Sequence, residues 1–108
     1  MATTTAAARL DTIAAEMRHP LQQTDARFVH RKLTHGLELV LQRTQRQYRL
    51  ALGRPGVAPS DSEIEICARA FRVPADAEPH RTMKERTGKT GVLIYHVAEL
   101  YWTEMEAQ

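Results

Sequence analysis

The residues with the most obvious chemical potential lie at 81–102, RTMKERTGKTGVLIYHVAELYW. Gly88, Lys89 and Thr90 form the GKT triplet with which phosphate-binding loops end, a loop whose free backbone amides and lysine surround phosphoryl oxygens. That loop needs a glycine five positions before Gly88, and Met83 stands there. It also needs a strand before it and a helix after it, whereas the charged residues preceding Gly88 read as helix. Nucleotide binding by this loop is therefore excluded. His30 and His35 are five apart, off a common helical face, where helical metal ligands normally sit four apart. No Ser/His/Asp order, no pair of buried carboxylates and no Gly-rich cofactor loop can be assembled, so the sequence predicts no catalytic residues, no metal and no cofactor. Cys67 is the one cysteine, which excludes an intrachain disulfide, and it reads as a small buried hydrophobe.

Charge is the stronger signal. The formal balance over 108 residues is only +2, but its distribution is uneven. Residues 27–54 carry Arg27, Arg31, Lys32, Arg43, Arg46, Arg49 and Arg54 against the single acid Glu38; residues 55–78 are acidic; and residues 79–98 turn basic again through Arg81, Lys84, Arg86 and Lys89. Blocks of this kind suit a polyanionic partner, or form a solvated face. With 43% hydrophobic and 26% charged residues, the composition is that of an ordinary globular protein. No apolar run approaches the length that spans a bilayer, about 20 residues. The N-terminal segment is interrupted by Arg9, Asp11 and Glu16, unlike a secretory signal, so the expected location is cytoplasmic.

The elements that must position these residues read as helices. Leu10, Ile13, Ala14 and Met17 share one face of an N-terminal arm that Pro20 is expected to stop, giving an arm over residues 1–20 and a single helical domain over 21–108. The longest helix is expected from about Asp25 to Leu52, with Val29, Leu33, Leu37, Val40, Leu41, Thr44, Tyr48 and Ala51 on its apolar face and Gly36 marking a close crossing. A second stripe on it, Phe28, Leu39 and Leu50, predicts another neighbour. Ser60 and Glu63 make a capping box for a helix to about Arg72. A short helix from His80 to Thr87 and a final one from Thr90 to about Met105 complete an all-α bundle of about five helices. The run GVLIYHV also reads as a strand, in which case it needs a pairing partner across a dimer.

Residues 80–102 resemble the helix-turn-helix family of DNA-binding motifs, in which a short helix, a Gly-containing turn and a recognition helix follow one another. MKERTGKTGVLIYHVAEL supplies Met83 as an inward residue, Gly88 in the turn, Thr90 as the second cap, and Ile94 and Val97 inward on the second helix. The family usually has a small residue where this chain has Lys84, and apolar ones at Thr87 and Lys89. The second helix is also apolar around most of its circumference, a profile that favours burial over a groove.

On this reading the protein is a small basic nucleic-acid-binding regulator, with DNA a better fit than RNA and self-association into a homodimer expected. Its contact residues are Arg31, Arg43, Arg46, Arg49 and Arg86, which would neutralise phosphates, and Lys89, Thr90, Tyr95 and His96, which would reach base edges or backbone. The competing reading is a non-catalytic helical adaptor or accessory subunit whose interface is Phe28, Leu39, Leu50 and Trp102.

Overall fold

The computed structural model describes residues 6–23, 28–33, 36–44 and 47–103. In chain order the elements are α1 (Ala6–Gln23), β1 (Phe28–Lys32), β2 (Glu38–Thr44), β3 (Gln47–Pro55), α2 (Asp61–Ala70), β4 (His80–Gly88) and β5 (Gly91–Thr103). The strands form one antiparallel sheet in the order β1-β2-β3-β5-β4. The all-α bundle is thereby overturned.

The expected long helix is instead β1, β2 and β3, and the physical reason lies in its leucines. As a helix, the segment would carry apolar residues on two sides and leave Leu39 and Leu50 without a place in its own core. Read at period two, Leu39 and Leu41 fall on one face of β2, and Tyr48, Leu50 and Leu52 on one face of β3. The register sets Leu39 opposite Leu52 and Leu41 opposite Leu50, so both stripes enter one core. Gly36 does not mark a helix crossing. It lies at φ +74 in the β1–β2 connection, a conformation that costs glycine little.

The helix-turn-helix expectation fails for a related reason. Residues 80–103 form a hairpin in which Gly88 pairs with Gly91 around a turn at Lys89 and Thr90. Gly91 takes φ +123, which side chains disfavour. A segment apolar all round as a helix is satisfied as a strand, because β5 pairs with β3 on one side and β4 on the other. Its pairing partners thus lie in its own chain, and no dimer is needed to supply one.

Both helices cover the same face of the sheet. Leu10, Ala14 and Met17 of α1 and Ile64, Cys67, Ala70 and Phe71 of α2 form a single core with the inward residues of β2, β3 and β5. Contrary to expectation, α1 continues past Pro20 to Gln23. A proline removes one backbone donor, and the chain can resume helical geometry after it. The start of α2 is as the sequence predicts: Ser60 Oγ accepts from the Glu63 amide at 3.1 Å and the Glu63 carboxylate accepts from the Ser60 amide at 2.8 Å. Arg54, at the end of β3, donates to both oxygens of the same carboxylate at 2.8 and 2.7 Å and so ties α2 to the sheet.

Two outcomes are expected. Leu39→Ala, at a position with no exposed surface, should lower the unfolding free energy by about 2–5 kcal/mol in urea titrations. Phe28→Ala, at a mostly exposed position, should change it by less than about 0.5 kcal/mol. The second outcome concerns acid. Arg54 holds the Glu63 carboxyl down from 4.5 to about 2 against the opposing effect of burial. A carboxylate whose folded value is depressed adds stability above its unfolded value and loses it as pH falls through the folded one. The melting-temperature gap between wild type and Arg54→Gln should therefore be widest above pH 4.5 and close towards pH 2.

Candidate functional site

Because the helices occupy one face, the other face of the sheet carries no helix among the described residues. Its side chains are those at alternate positions to the core: His30 and Lys32 of β1, Glu38 and Val40 of β2, Arg49 and Ala51 of β3, Tyr95, Val97, Glu99 and Tyr101 of β5, and His80, Thr82, Lys84 and Arg86 of β4. Phe28, 63% exposed, stands at one corner in register with Gln42, Arg49 and Tyr101.

The two acids of this face are both taken up by neighbouring cations. Glu99 accepts from Arg49 Nε and, at 3.0 Å, from the Tyr101 hydroxyl. Burial pushes the Glu99 carboxyl up, but the hydrogen bonds from Arg49 and Tyr101 and the charges of Arg49 and Lys84 outweigh it and leave the group below its ordinary value. Arg49 also points an N–H at Gln42 Oε1, 3.5 Å away. Glu38 lies 3.8 Å from His30 Nε2, 3.8 Å from Lys32 Nζ and 3.9 Å from Arg86. One carboxylate shared among three basic groups cannot neutralise them all.

The exposed part of this face carries Lys32, Lys84, Arg86, Phe28, Tyr101 and Leu93, with Tyr95 half-buried among them. The Arg86 guanidinium lies 4.4 Å from the centre of the Tyr95 ring, within the range of a cation–π contact. Lys84 pairs directly with Tyr95 across the β4–β5 ladder. The His80 and Tyr101 rings meet edge to face at 6.0 Å. Tyr95, half-buried with Arg86 against its ring, and Tyr101, 40% exposed, are six residues apart on one strand, roughly 20 Å, with Lys32, Lys84 and Arg86 around them.

Of the residues assigned from sequence to nucleic-acid contact, the fold brings Arg49, Arg86 and Tyr95 onto this face. Arg49 is committed to Glu99. Arg31, Arg43 and His96 lie on the helix-covered side of the sheet: Arg31 pairs with Glu16 of α1 at 3.1 Å, and Arg43 lies 5.9 Å from the Tyr48 ring. Lys89 and Thr90 form the hairpin turn at the far end of the β4–β5 ribbon. Arg46 and His35 lie outside the described residues. Of the residues assigned to a protein interface, Leu39 and Leu50 are fully buried in the core, Trp102 stacks on Tyr48 at 5.4 Å beside it, and Phe28 is on the open face.

Sequence reasoning missed Lys32, His30, His80 and Lys84 as members of one surface. The signal was present as period two, in His80, Thr82, Lys84 and Arg86 and in Tyr95, Val97, Glu99 and Tyr101, and a helical reading scatters both sets.

Among the described residues no three His, Cys, Asp or Glu side chains are grouped to hold a metal ion. No helix among them is long and apolar enough to cross a membrane. No known protein family, curated protein or solved structure matches the chain.

Proposed function

We propose that the protein is a binding module that engages single-stranded nucleic acid on the open face of its sheet. The observation that carries this reading is the Arg86–Tyr95 stack with Lys84 beside it, on a face whose acids Glu38 and Glu99 are already engaged by basic groups. Exposed rings accept the faces of unpaired bases whatever their sequence, and adjacent cations neutralise the phosphates between them. An open sheet face suits a splayed single strand better than a duplex groove, which takes a protruding helix or ribbon. Phe28 and Tyr101 extend the same surface, and Lys32 supplies charge at its β1 edge.

A second reading has its own support. Beyond the last β3 pair, Pro55 with Tyr95, the β4–β5 ribbon continues alone. It exposes Val92 (60%), Leu93 and Ile94. Apolar side chains clustered on a projecting ribbon favour a protein contact, including one with a second copy of the chain. In that case Ile94→Asp abolishes a concentration-dependent increase in sedimentation coefficient and leaves nucleic-acid binding intact.

The primary test is a salt titration by fluorescence anisotropy against single-stranded and duplex oligonucleotides of equal length. Wild type should bind the single strand more tightly, with log affinity falling linearly in log salt. Lys84→Ala and Arg86→Ala should each lower the slope by about 0.7. Tyr95→Ala should weaken binding by about 1–3 kcal/mol with little change in slope. The exposed helix-side change Arg69→Ala, remote from the face, should have no effect. Absence of binding at low salt, or equal sensitivity to Arg69→Ala, would sink the proposal.

A further inference from the structure

On the opposite side of the molecule a cleft of about 570 Å³ opens between α1, α2 and the segment that follows β1. Its volume is in the range of small-molecule sites, roughly 300–1,000 Å³. Leu10, Leu37 and Cys67 are lining residues that are themselves buried, and Ile13, Leu33 and Ile66 add apolar wall with accessible surface left over. The polar lining is cationic apart from Glu63, and Glu63 is committed to Arg54 and the Ser60 amide. Arg9 and Arg31 line the cleft, and Arg31 is paired with Glu16.

We infer that this cleft binds an amphipathic monoanion, a medium-chain carboxylate whose alkyl chain lies along Ile13, Leu33 and Ile66 and whose head is met by Arg9 and Arg31. Two features select this occupant. The polar groups of the lining are all charged, with no hydroxyl or amide side chain to orient a sugar or base. Glu63 is engaged by Arg54 and Glu16 by Arg31, which leaves the charge of Arg9, with Lys32 beside it, in excess at the cleft and favours an anionic head over a neutral or cationic one. The cleft opens on the helix side of the sheet and shares Lys32, at the β1 edge, with the open face; no aromatic residue is common to the two.

Cys67 provides a reporter, since it is the one cysteine in the chain, is 2% exposed and lines the cleft. Burial pushes its thiol up to about 12, so at neutral pH it remains protonated and part of the apolar lining. Occupancy of the cleft should slow its alkylation by a neutral maleimide under alkaline conditions, where the small thiolate fraction reacts.

The test is calorimetric titration of the full chain with octanoate, decanoate and dodecanoate below their micellar concentrations, with dodecyltrimethylammonium as the chain-matched cation. Saturable 1:1 binding is expected. Affinity should rise by about tenfold for each added pair of methylenes, and the cation should bind at least tenfold more weakly than dodecanoate. Arg9→Glu should weaken dodecanoate binding at least tenfold, and Ile66→Trp, which fills the cleft from an exposed position, should abolish it. Circular dichroism establishes that both variants are folded, and Cys67 protection by dodecanoate should be lost in step with binding. Equal binding of the cation, affinity indifferent to chain length, or dodecanoate binding unchanged in both variants would overturn the inference. Association with phosphatidylglycerol vesicles in place of free carboxylate would overturn it too, by identifying a membrane surface as the partner.

Discussion

The cross-strand leucine block of β2 and β3 is the constraint on which the remainder of the structure depends. Leu39 faces Leu52 and Leu41 faces Leu50, and all four are excluded from solvent. Each leucine buried in this way is worth about 1.5–3 kcal/mol relative to an exposed one. That gain fixes the register, because a slip of one residue would turn the whole set out into water and bring Val40, Gln42, Arg49 and Ala51 inward. With the block in place, α1 and α2 have one apolar face to cover, and both settle on it. Leu100 and Ala98 extend the block into β5 through their pairing with Leu50 and Leu52.

A two-layer arrangement has a consequence for surface chemistry. Every strand residue alternate to the leucines is directed to a face that no helix covers among the described residues, and those residues are mostly polar, basic or aromatic. The face is nonetheless ordered. Ala51 is 6% exposed without belonging to the helix-side core, because the side chains of the flanking strands close over it. Glu99 is hydrogen-bonded to Arg49, and Glu38 lies 3.8 Å from Lys32 and 3.9 Å from Arg86. Such pairing limits the conformational entropy that a ligand must remove on binding, a cost otherwise set against the contacts it gains.

The second helix is attached at its start by polar contacts as well as by its apolar face. Arg54 grips Glu63 from β3, and Arg81 reaches from β4 to Asp61 and to the Pro59 carbonyl. These contacts sit over the end of β3, where the sheet narrows to the β4–β5 ribbon. The other end of α2 closes with Arg72 at φ 59, where its amide bonds to the Arg69 carbonyl and that of Val73 to the Ala68 carbonyl. That is the pattern in which glycine is the usual residue. The same helix contributes Cys67 and Ile66 to the cleft, so its placement decides the shape of that cavity as well as the closure of the core.

Local chemistry made some of this legible before any coordinates. The capping box at Ser60 and Glu63 and the shared face of Leu10, Ile13, Ala14 and Met17 depend on neighbours within a turn or two of helix, and they stand as read. The basic character of residues 27–54 and 79–98 is likewise a property of sequence. The strands could not be separated from helices in the same way, because LELVLQ and YRLALG satisfy periods of two and of 3.6 almost equally over so few residues, and the Gln45-Arg46 connection between them has none of the usual hairpin turn residues. Only long-range pairing breaks that degeneracy: Leu50 lies against Leu41 and Leu100 at once, and no helix offers it two such partners. The candidate site was out of reach for the same reason. Lys32, Glu38, Tyr95 and Arg86 are distant in sequence and become one surface only when β1, β2, β5 and β4 are placed in one sheet, an arrangement that the buried leucines decide and the surface residues do not.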